Sequence, residues 1–323
     1  MEYRRLGKSG IRVSEIGLGG VDFGGRLSER ESISVITHAL DLGVNFIDTA
    51  DVYSEGRSEE CVGKAVKGRR SEVIIATKFG MPTGGHPNEY GGSRSHIMQA
   101  IDSSLKRLGT DYIDLYYIHW PDPETPIEET LRTLDDLVRA GKVRYIGCSN
   151  FAAWQLCEAL WTSRVNNLES FVVVQTRYNL LDRSIESGLV PCCQAYGISV
   201  IPWGPLAEGF LTGKYQRGKP APASTRLGSP RPAPPPLPAP ARLSAGPPAF
   251  TPIFTDANFD KLEKLQKFSA ESDHSIGELA IAWLLAHSWL SSVIAGATNP
   301  VQVSANVAAT SWKLTAQEIA QLD

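Results

Sequence analysis

Asn45-Phe46-Ile47-Asp48-Thr49-Ala50-Asp51-Val52-Tyr53-Ser54-Glu55-Gly56 begins as a short apolar run and ends as a polar loop. Gly43 limits the run on one side and the loop limits it on the other, the pattern of a buried strand. A carboxylate, Asp48, stands where the strand ends, and a phenol, Tyr53, follows five residues later. Two further apolar runs end in the same way. Val73–Thr77 stops at Lys78, and Leu115–Ile118 stops at His119. In a parallel β/α barrel the strand exits share one face, and chemistry sits on that face.

Outward from this stretch the chain repeats strand, loop and helix. Tyr3–Leu6 and Ile11–Val13 flank the turn Gly7-Lys8-Ser9-Gly10 and read as an N-terminal hairpin. Ile16–Gly19 is a short strand before a glycine-rich loop, and Ser28 with Glu31 caps a helix to Leu42. After strand 44–48 comes a helix from Ser58 to Val66. Strand 73–77 leads through a loop with glycines at 80, 84, 85, 91 and 92 to a helix from Ser95 to Leu108. Strand 113–118 precedes a helix Pro126–Ala140, with Pro at its start and Gly141 beyond its end. Strands 143–148, 171–175 and 198–202 precede helices 153–163 and 186–196 and the longest loop. Helices 258–272 and 275–287, strand 292–294, helix 300–309 and a terminal helix from Thr315 complete the chain. Eight strands alternating with helices predict a single-domain α/β (β/α)8 TIM barrel over residues 1–323, with extra C-terminal helices. An open doubly wound sheet would want GxGxxG after its first strand, and that motif is absent.

One segment departs from the alternation. Between Pro220 and Pro248 lie eleven of the 21 prolines, which predicts an extended or disordered loop over 219–249. It follows the seventh barrel strand, as a tolerated insertion or as a lid over the catalytic face.

Composition excludes several classes. Net charge is −3 with interspersed signs, so no nucleic-acid footprint or anionic-membrane patch is expected. No apolar run is long enough to span a membrane, and Met1–Leu6 lacks the apolar stretch of a secretory signal. Five cysteines without a CxxC pattern read as free thiols in a reducing cytoplasm. No serine-nucleophile motif, metal-ligand cluster or P-loop is present.

The strand-exit residues together suit proton transfer. A phenol titrates near 10, too high for effective acid-base work at neutral pH. A neighbouring ammonium favours the phenolate, and a carboxylate keeps that ammonium charged. Asp48, Lys78 and Tyr53 supply these parts, and His119 can orient a carbonyl. The difficult step then falls to a hydride-carrying cofactor.

With these residues the chain resembles the aldo-keto reductases nearly end to end, apart from the proline-rich loop. The resemblance rests on Asn45–Ala50 with Tyr53, Thr77-Lys78, Ile118-His119-Trp120, Gly147–Phe151 and Gly209–Lys214. It implies reduction of an aldehyde or ketone with NADPH/NADP, NADH/NAD being possible. Asp48, Tyr53, Lys78 and His119 match the catalytic tetrad, with Tyr53 as general acid. Tyr53, His119 and Trp120 face the small-molecule carbonyl or alcohol substrate, alongside Val21 and Phe23. The resemblance assigns Ser149, Asn150 and Gln175 to the nicotinamide carboxamide, and Trp203 to the ring face. Gly204, Pro205, Leu206, Gly209 and Lys214 match the pyrophosphate loop, with Gly20 and Val21 beside it. Gly296, Thr298, Gln302 and Asn306 match the adenosine-phosphate segment, and Arg226 the arginine that reaches a 2′-phosphate. Three departures stand out: Gly204 where a serine is usual, Ala305 where an acid is usual, and no Lys or Arg in the adenosine segment. The alternatives are a dehydrogenase for a sugar or polyol, and a nucleotide-sensing interaction subunit. Potassium-channel β-subunits of the second kind share the tryptophan at 203.

Overall fold

The helices begin where the capping chemistry puts them. In the computed structural model, described for residues 1–223, 225–228 and 253–322, Ser28 and Glu31 form a reciprocal capping box at the start of α1 (Glu29–Asp41). Pro126 precedes α4 (Ile127–Arg139), and Gly141 follows it in the left-handed region at φ 74°. The other helices of this series are α2 (Arg57–Ala65), α3 (Arg94–Leu108), α5 (Ala153–Asn166) and α6 (Leu189–Tyr196). The helix expected over 186–196 is in two pieces, a 3-10 turn Ser184–Ser187 and α6, divided at Gly188.

Strands β1 (Tyr3–Arg5) and β2 (Arg12–Ser14) pair antiparallel as the expected hairpin. Among the described residues, eight parallel strands close into a barrel. They are β3 (Ile16–Gly19), β4 (Phe46–Asp48), β5 (Ile74–Phe79), β6 (Ile113–Ile118), β7 (Val143–Ser149), β8 (Val173–Arg177), β9 (Ser199–Trp203) and β10 (Val293–Gly296). β10 pairs with β3 in register from Val293–Ile16 to Gly296–Gly19, which closes the ring. Helices Asp256–Glu271, Ile276–Leu285, Pro300–Ala308 and Ala316–Leu322 follow the last long loop. The proline-rich stretch expected at 219–249 falls largely on 224 and 229–252, outside the described residues.

The period-two alternation of strands explains where the site must be. Phe46, Ala76, Leu115, Tyr117, Val173, Ile201 and Ile294 pack inside the barrel, with Leu6 and Val13 of the hairpin plugging its lower end. Ile47, Ile75, Tyr116, Val174 and Val200 face the helices instead. Two glycines make room for the interior. A Cβ on Gly147 would lie 2.7 Å from Tyr117, and one on Gly17 2.7 Å from Phe46. Continuing the inward set by two residues along each strand gives Asp48, Lys78, His119, Gln175 and Trp203. Sequence parity alone sends these five side chains toward the barrel mouth.

Candidate active site

Lys78 is the centre of the mouth and is fully buried. Its Nζ donates to Asp48 Oδ1 at 2.5 Å, to the Thr49 carbonyl at 2.8 Å and to Tyr53 Oη at 3.3 Å. Burial alone would lower the lysine, but Asp48 and Tyr53 outweigh it and hold the ammonium above its ordinary value. Asp48 is held from its other side as well, its Oδ2 accepting from Gln175 Nε2 at 2.7 Å. A buried ion pair persists only when its remaining lone pairs are satisfied, and here they are.

Tyr53 arrives from a loop rather than a strand. Ser54 and Glu55 follow it at φ 51° and 59°, and Gly56 at 88°. Three successive left-handed residues reverse the chain at once and turn the phenol back over the barrel. The Lys78 ammonium lies 4.8 Å from the Tyr53 ring centroid. The expectation that this ammonium lowers the phenol needs correction. Burial raises Tyr53 above its ordinary value, and Lys78 offsets only part of the rise. Tyr53 is therefore a protonated phenol at neutral pH, the form a general acid requires.

His119 sits edge-on to Tyr53, with ring centroids 5.7 Å apart. Its amide donates to Phe79 O at 2.8 Å and its carbonyl accepts from Asn150 Nδ2 at 3.1 Å, so the backbone is fixed on both sides. Burial and then the Lys78 charge push the imidazole well below its usual pKa. It is neutral, and its Nδ1 is buried without a hydrogen-bond partner among the described residues. Trp120, next to His119, and Val21, in the loop after β3, are half-buried, but Phe23 is wholly buried in the core and does not line a pocket.

Ser149 and Gln175 are register partners on β7 and β8. Asn150, at φ 62°, donates to Ser149 Oγ at 3.0 Å and accepts from Trp203 Nε1 at 3.0 Å. Beyond Trp203, Gly204 is left-handed at φ 68°, and a Cβ there would meet nothing within 4 Å. Its backbone is thus open to close approach. Ala207, Glu208 and Gly209 are also at positive φ. Lys214 folds back over this turn, so that a Cβ on Gly209 would lie 2.5 Å from its Nζ. Burial, and then Arg26, lower Lys214. At the helix Pro300–Ala308, Asn299 caps the first turn, and Thr298 donates through N and Oγ1 to Gln302 at 2.8 and 3.2 Å. Asn306 reaches the Gly296 carbonyl at 3.4 Å. Gly20 has a packing role, since a Cβ there would lie 2.9 Å from Ser58 Oγ. Arg226 stands 3.7 Å from Asp22, bridging the loops after β9 and β3, and its charge acts on Tyr53.

An acid, an ammonium, a phenol and a neutral imidazole thus converge at one barrel mouth beside open glycine backbone, and the sequence matches the Aldo/keto reductase family over residues 15–323. The chain belongs to that family. A probable voltage-gated potassium channel subunit beta of Oryza sativa subsp. japonica is 38% identical over 314 residues, covering 96% of this chain and 91% of the relative. The versiconal hemiacetal acetate reductase of Aspergillus parasiticus is 36% identical, covering 100% and 96%. The aldo-keto reductase YhdN of Bacillus subtilis (strain 168) is 35% identical, covering 98% and 91%. No helix among the described residues of this family member is long and apolar enough to cross a membrane.

Sequence reasoning misses a second polar cluster, behind the mouth. Glu59 on α2 is fully buried, accepting from Thr77 Oγ1 at 2.5 Å and from Arg107 Nε at 2.6 Å. Asp51 is buried beside it, and neither of its carboxyl oxygens has a hydrogen-bond partner among the described residues. Burial, and then Glu59, push Asp51 well above the carboxylate range. The surroundings of Asp51, two residues from Tyr53, thus favour its neutral form. The only signal in sequence is an acid at the start of a helix, Glu59, directly after the glycine turn.

Proposed function

We propose that this aldo/keto reductase family member reduces an aldehyde or ketone to an alcohol with NADPH, with Tyr53 as the general acid. The observation that carries this reading is the fully buried Lys78 ammonium, bonded to Asp48 at 2.5 Å and to Tyr53 at 3.3 Å. When bound, the nicotinamide cofactor supplies a hydride to the carbonyl carbon. Tyr53 gives its phenolic proton to the carbonyl oxygen. Lys78 stabilises the phenolate left behind, and Asp48 keeps Lys78 charged where water is scarce. Neutral His119 orients the carbonyl by a hydrogen bond without placing a second charge beside the lysine. Ser149, Asn150 and Gln175 would hold the carboxamide, Trp203 the ring face, and the Gly204–Leu206 backbone with Gly209 and Lys214 the pyrophosphate. Gly296, Thr298, Gln302 and Asn306 would hold the adenosine end. Arg226 would favour NADPH over NADH by a charge-assisted contact to the 2′-phosphate.

Cofactor oxidation with aromatic and aliphatic aldehydes, run with NADPH and with NADH, tests the reading. Turnover with NADPH is expected, and binding without turnover on any carbonyl or alcohol would reject it. A second reading, a nucleotide-sensing interaction subunit, is favoured by the name of the Oryza sativa relative, a potassium channel subunit beta. The four site residues support catalysis, because sensing alone requires no proton donor.

A further inference from the structure

Four of the five cysteines gather where α5 and α6 pack beside β7. Cys148 lies on β7, Cys157 on α5, and Cys192 and Cys193 on α6. All are free thiols. Cys148 and Cys193 are buried, and burial, then neighbouring cysteines, push their thiols up, that of Cys193 to about 12. Cys61, the fifth, is buried on α2. Cys157 and Cys192 are half-buried and so within reach of a small solute. They meet across the seam between the two helices. Cys192 Sγ donates to the Ala153 carbonyl at 3.7 Å, and Cys157 Sγ lies 3.6 Å from Tyr196 Oη. From the first contact to the second each helix advances by four residues, so α5 and α6 run parallel, with matching turns side by side. In an α-helix the carbonyl of Ala153 is the acceptor for the amide of Cys157. Cys192 Sγ therefore touches the turn that carries Cys157, and the Cys157 side chain leans back toward that same turn. The approach of Cys157 adds to burial in raising the Cys192 thiol.

We propose that Cys157 and Cys192 form a modification site, a disulfide made by a hydroperoxide across the α5–α6 seam. The Cys157 thiolate attacks the terminal oxygen of the peroxide. The O–O bond breaks, the alkoxide (hydroxide, for hydrogen peroxide) leaves with the proton the thiol gave up, and Cys157 becomes a sulfenic acid. The Cys192 thiolate then attacks that sulfur. The S–O bond breaks, and hydroxide leaves as water with the Cys192 proton. Two thiols are oxidised to one disulfide, and the peroxide is reduced to an alcohol and water. Tyr196 assists the first step. A phenol ordinarily titrates above a thiol, and the hydrogen bond to Cys157 raises Tyr196 further. The phenol therefore keeps its proton and donates it as a hydrogen bond to the sulfur once Cys157 ionises. Cys193 does not compete, because successive helical residues point about 100° apart. That turn sends Cys193 into the core while Cys192 faces α5. The bridge closes a ring of chain that includes β8, and with it Gln175, whose amide holds Asp48.

The test treats the reduced full chain with hydrogen peroxide, removes the peroxide, and alkylates the remaining thiols in denaturant. Peptides are then weighed before and after reduction. The expected product is an internal peptide pair joined through Cys157 and Cys192, two hydrogens lighter than its separate parts, with Cys61, Cys148 and Cys193 alkylated. Cys192→Ser should stop at the sulfenic acid of Cys157, which dimedone captures, and Cys193→Ser should form the bridge as the wild type does. A bridge through Cys193, or covalent dimers in place of the internal bridge, overturns the proposal. So does Cys157 carried to the sulfinic acid while Cys192 is alkylated, a Cys192→Ser chain without the dimedone adduct, or a wild type with all five thiols alkylated. Should either variant fail to fold, the wild-type peptide map decides alone.

Discussion

Thr77 and Lys78 are neighbours on β5, yet they serve two polar clusters on opposite sides of the barrel wall. Lys78 points inward to Asp48, Tyr53 and the barrel mouth; Thr77 points outward to Glu59, itself held by Arg107 of α3. The inner acid, Asp48, has both oxygens satisfied by a lysine and a glutamine. Asp51, three residues later on the outer side, has neither oxygen satisfied among the described residues. The same residue type at similar depth is thus an ion-pair partner on one side of the wall and, on the other, a carboxyl pushed toward its neutral form. What differs is that a bonded lysine holds Asp48, whereas burial and the neighbouring Glu59 dominate at Asp51. The inner cluster is arranged to keep a charge beside a phenol; the outer one braces the loop that carries that phenol.

Removing the inner cation should have the largest effect. Lys78→Met leaves Asp48 buried with only Gln175, and breaking such a pair costs about 3–5 kcal/mol. A large fall in the denaturation midpoint and loss of turnover are expected; a midpoint equal to wild type would mean the pair is not buried in solution. The outer side responds in the opposite sense. Because the fold raises Asp51, the folded state holds its proton to higher pH than the unfolded chain, so stability falls as pH rises above the ordinary aspartate range. The slope is about 1.4 kcal/mol per pH unit, up to the raised value in the fold. Asp51→Asn removes that dependence, so the variant should gain on the wild type from about pH 4 upward and converge with it below. Parallel urea midpoints across that range would show that Asp51 is charged in the fold. A smaller effect is expected at the rim, where Arg226 meets Asp22. Charge-assisted hydrogen bonds contribute about 1.5–3 kcal/mol, so Arg226→Ala should weaken NADPH roughly tenfold or more and spare NADH. Fluorescence titrations showing equal losses for both cofactors would remove Arg226 from the phosphate site.

Local signals carry most of the architecture in the sequence. The Ser28–Glu31 box, Pro126 with Gly141, and the eight short apolar runs each act over a few residues, and the elements form within a few residues of the expected bounds. Strand parity brings Asp48, Lys78 and His119 to the mouth for the same reason. What is not legible depends on neighbours far along the chain. Phe23 reads as a loop aromatic until its packing is known. Asp51 carries no such signal, and only its burial and the approach of Glu59 from α2 make its surroundings expensive for a charge. The direction of the Tyr53 shift is misread from sequence because one nearby ammonium is visible there, whereas the loss of water around the phenol is not.

Tyr53→Phe removes the phenolic proton and almost no volume, which makes it the most direct test of the proton donor. NADPH affinity and single-turnover reduction of an aldehyde are measured on the same preparation as the wild type. General acid catalysis is worth about 10²–10⁴-fold, so the reduction rate should fall by that factor while the cofactor dissociation constant stays within a few-fold. A reduction rate close to wild type would contradict Tyr53 as the acid, and with it the role of the Asp48–Lys78 pair in stabilising a phenolate.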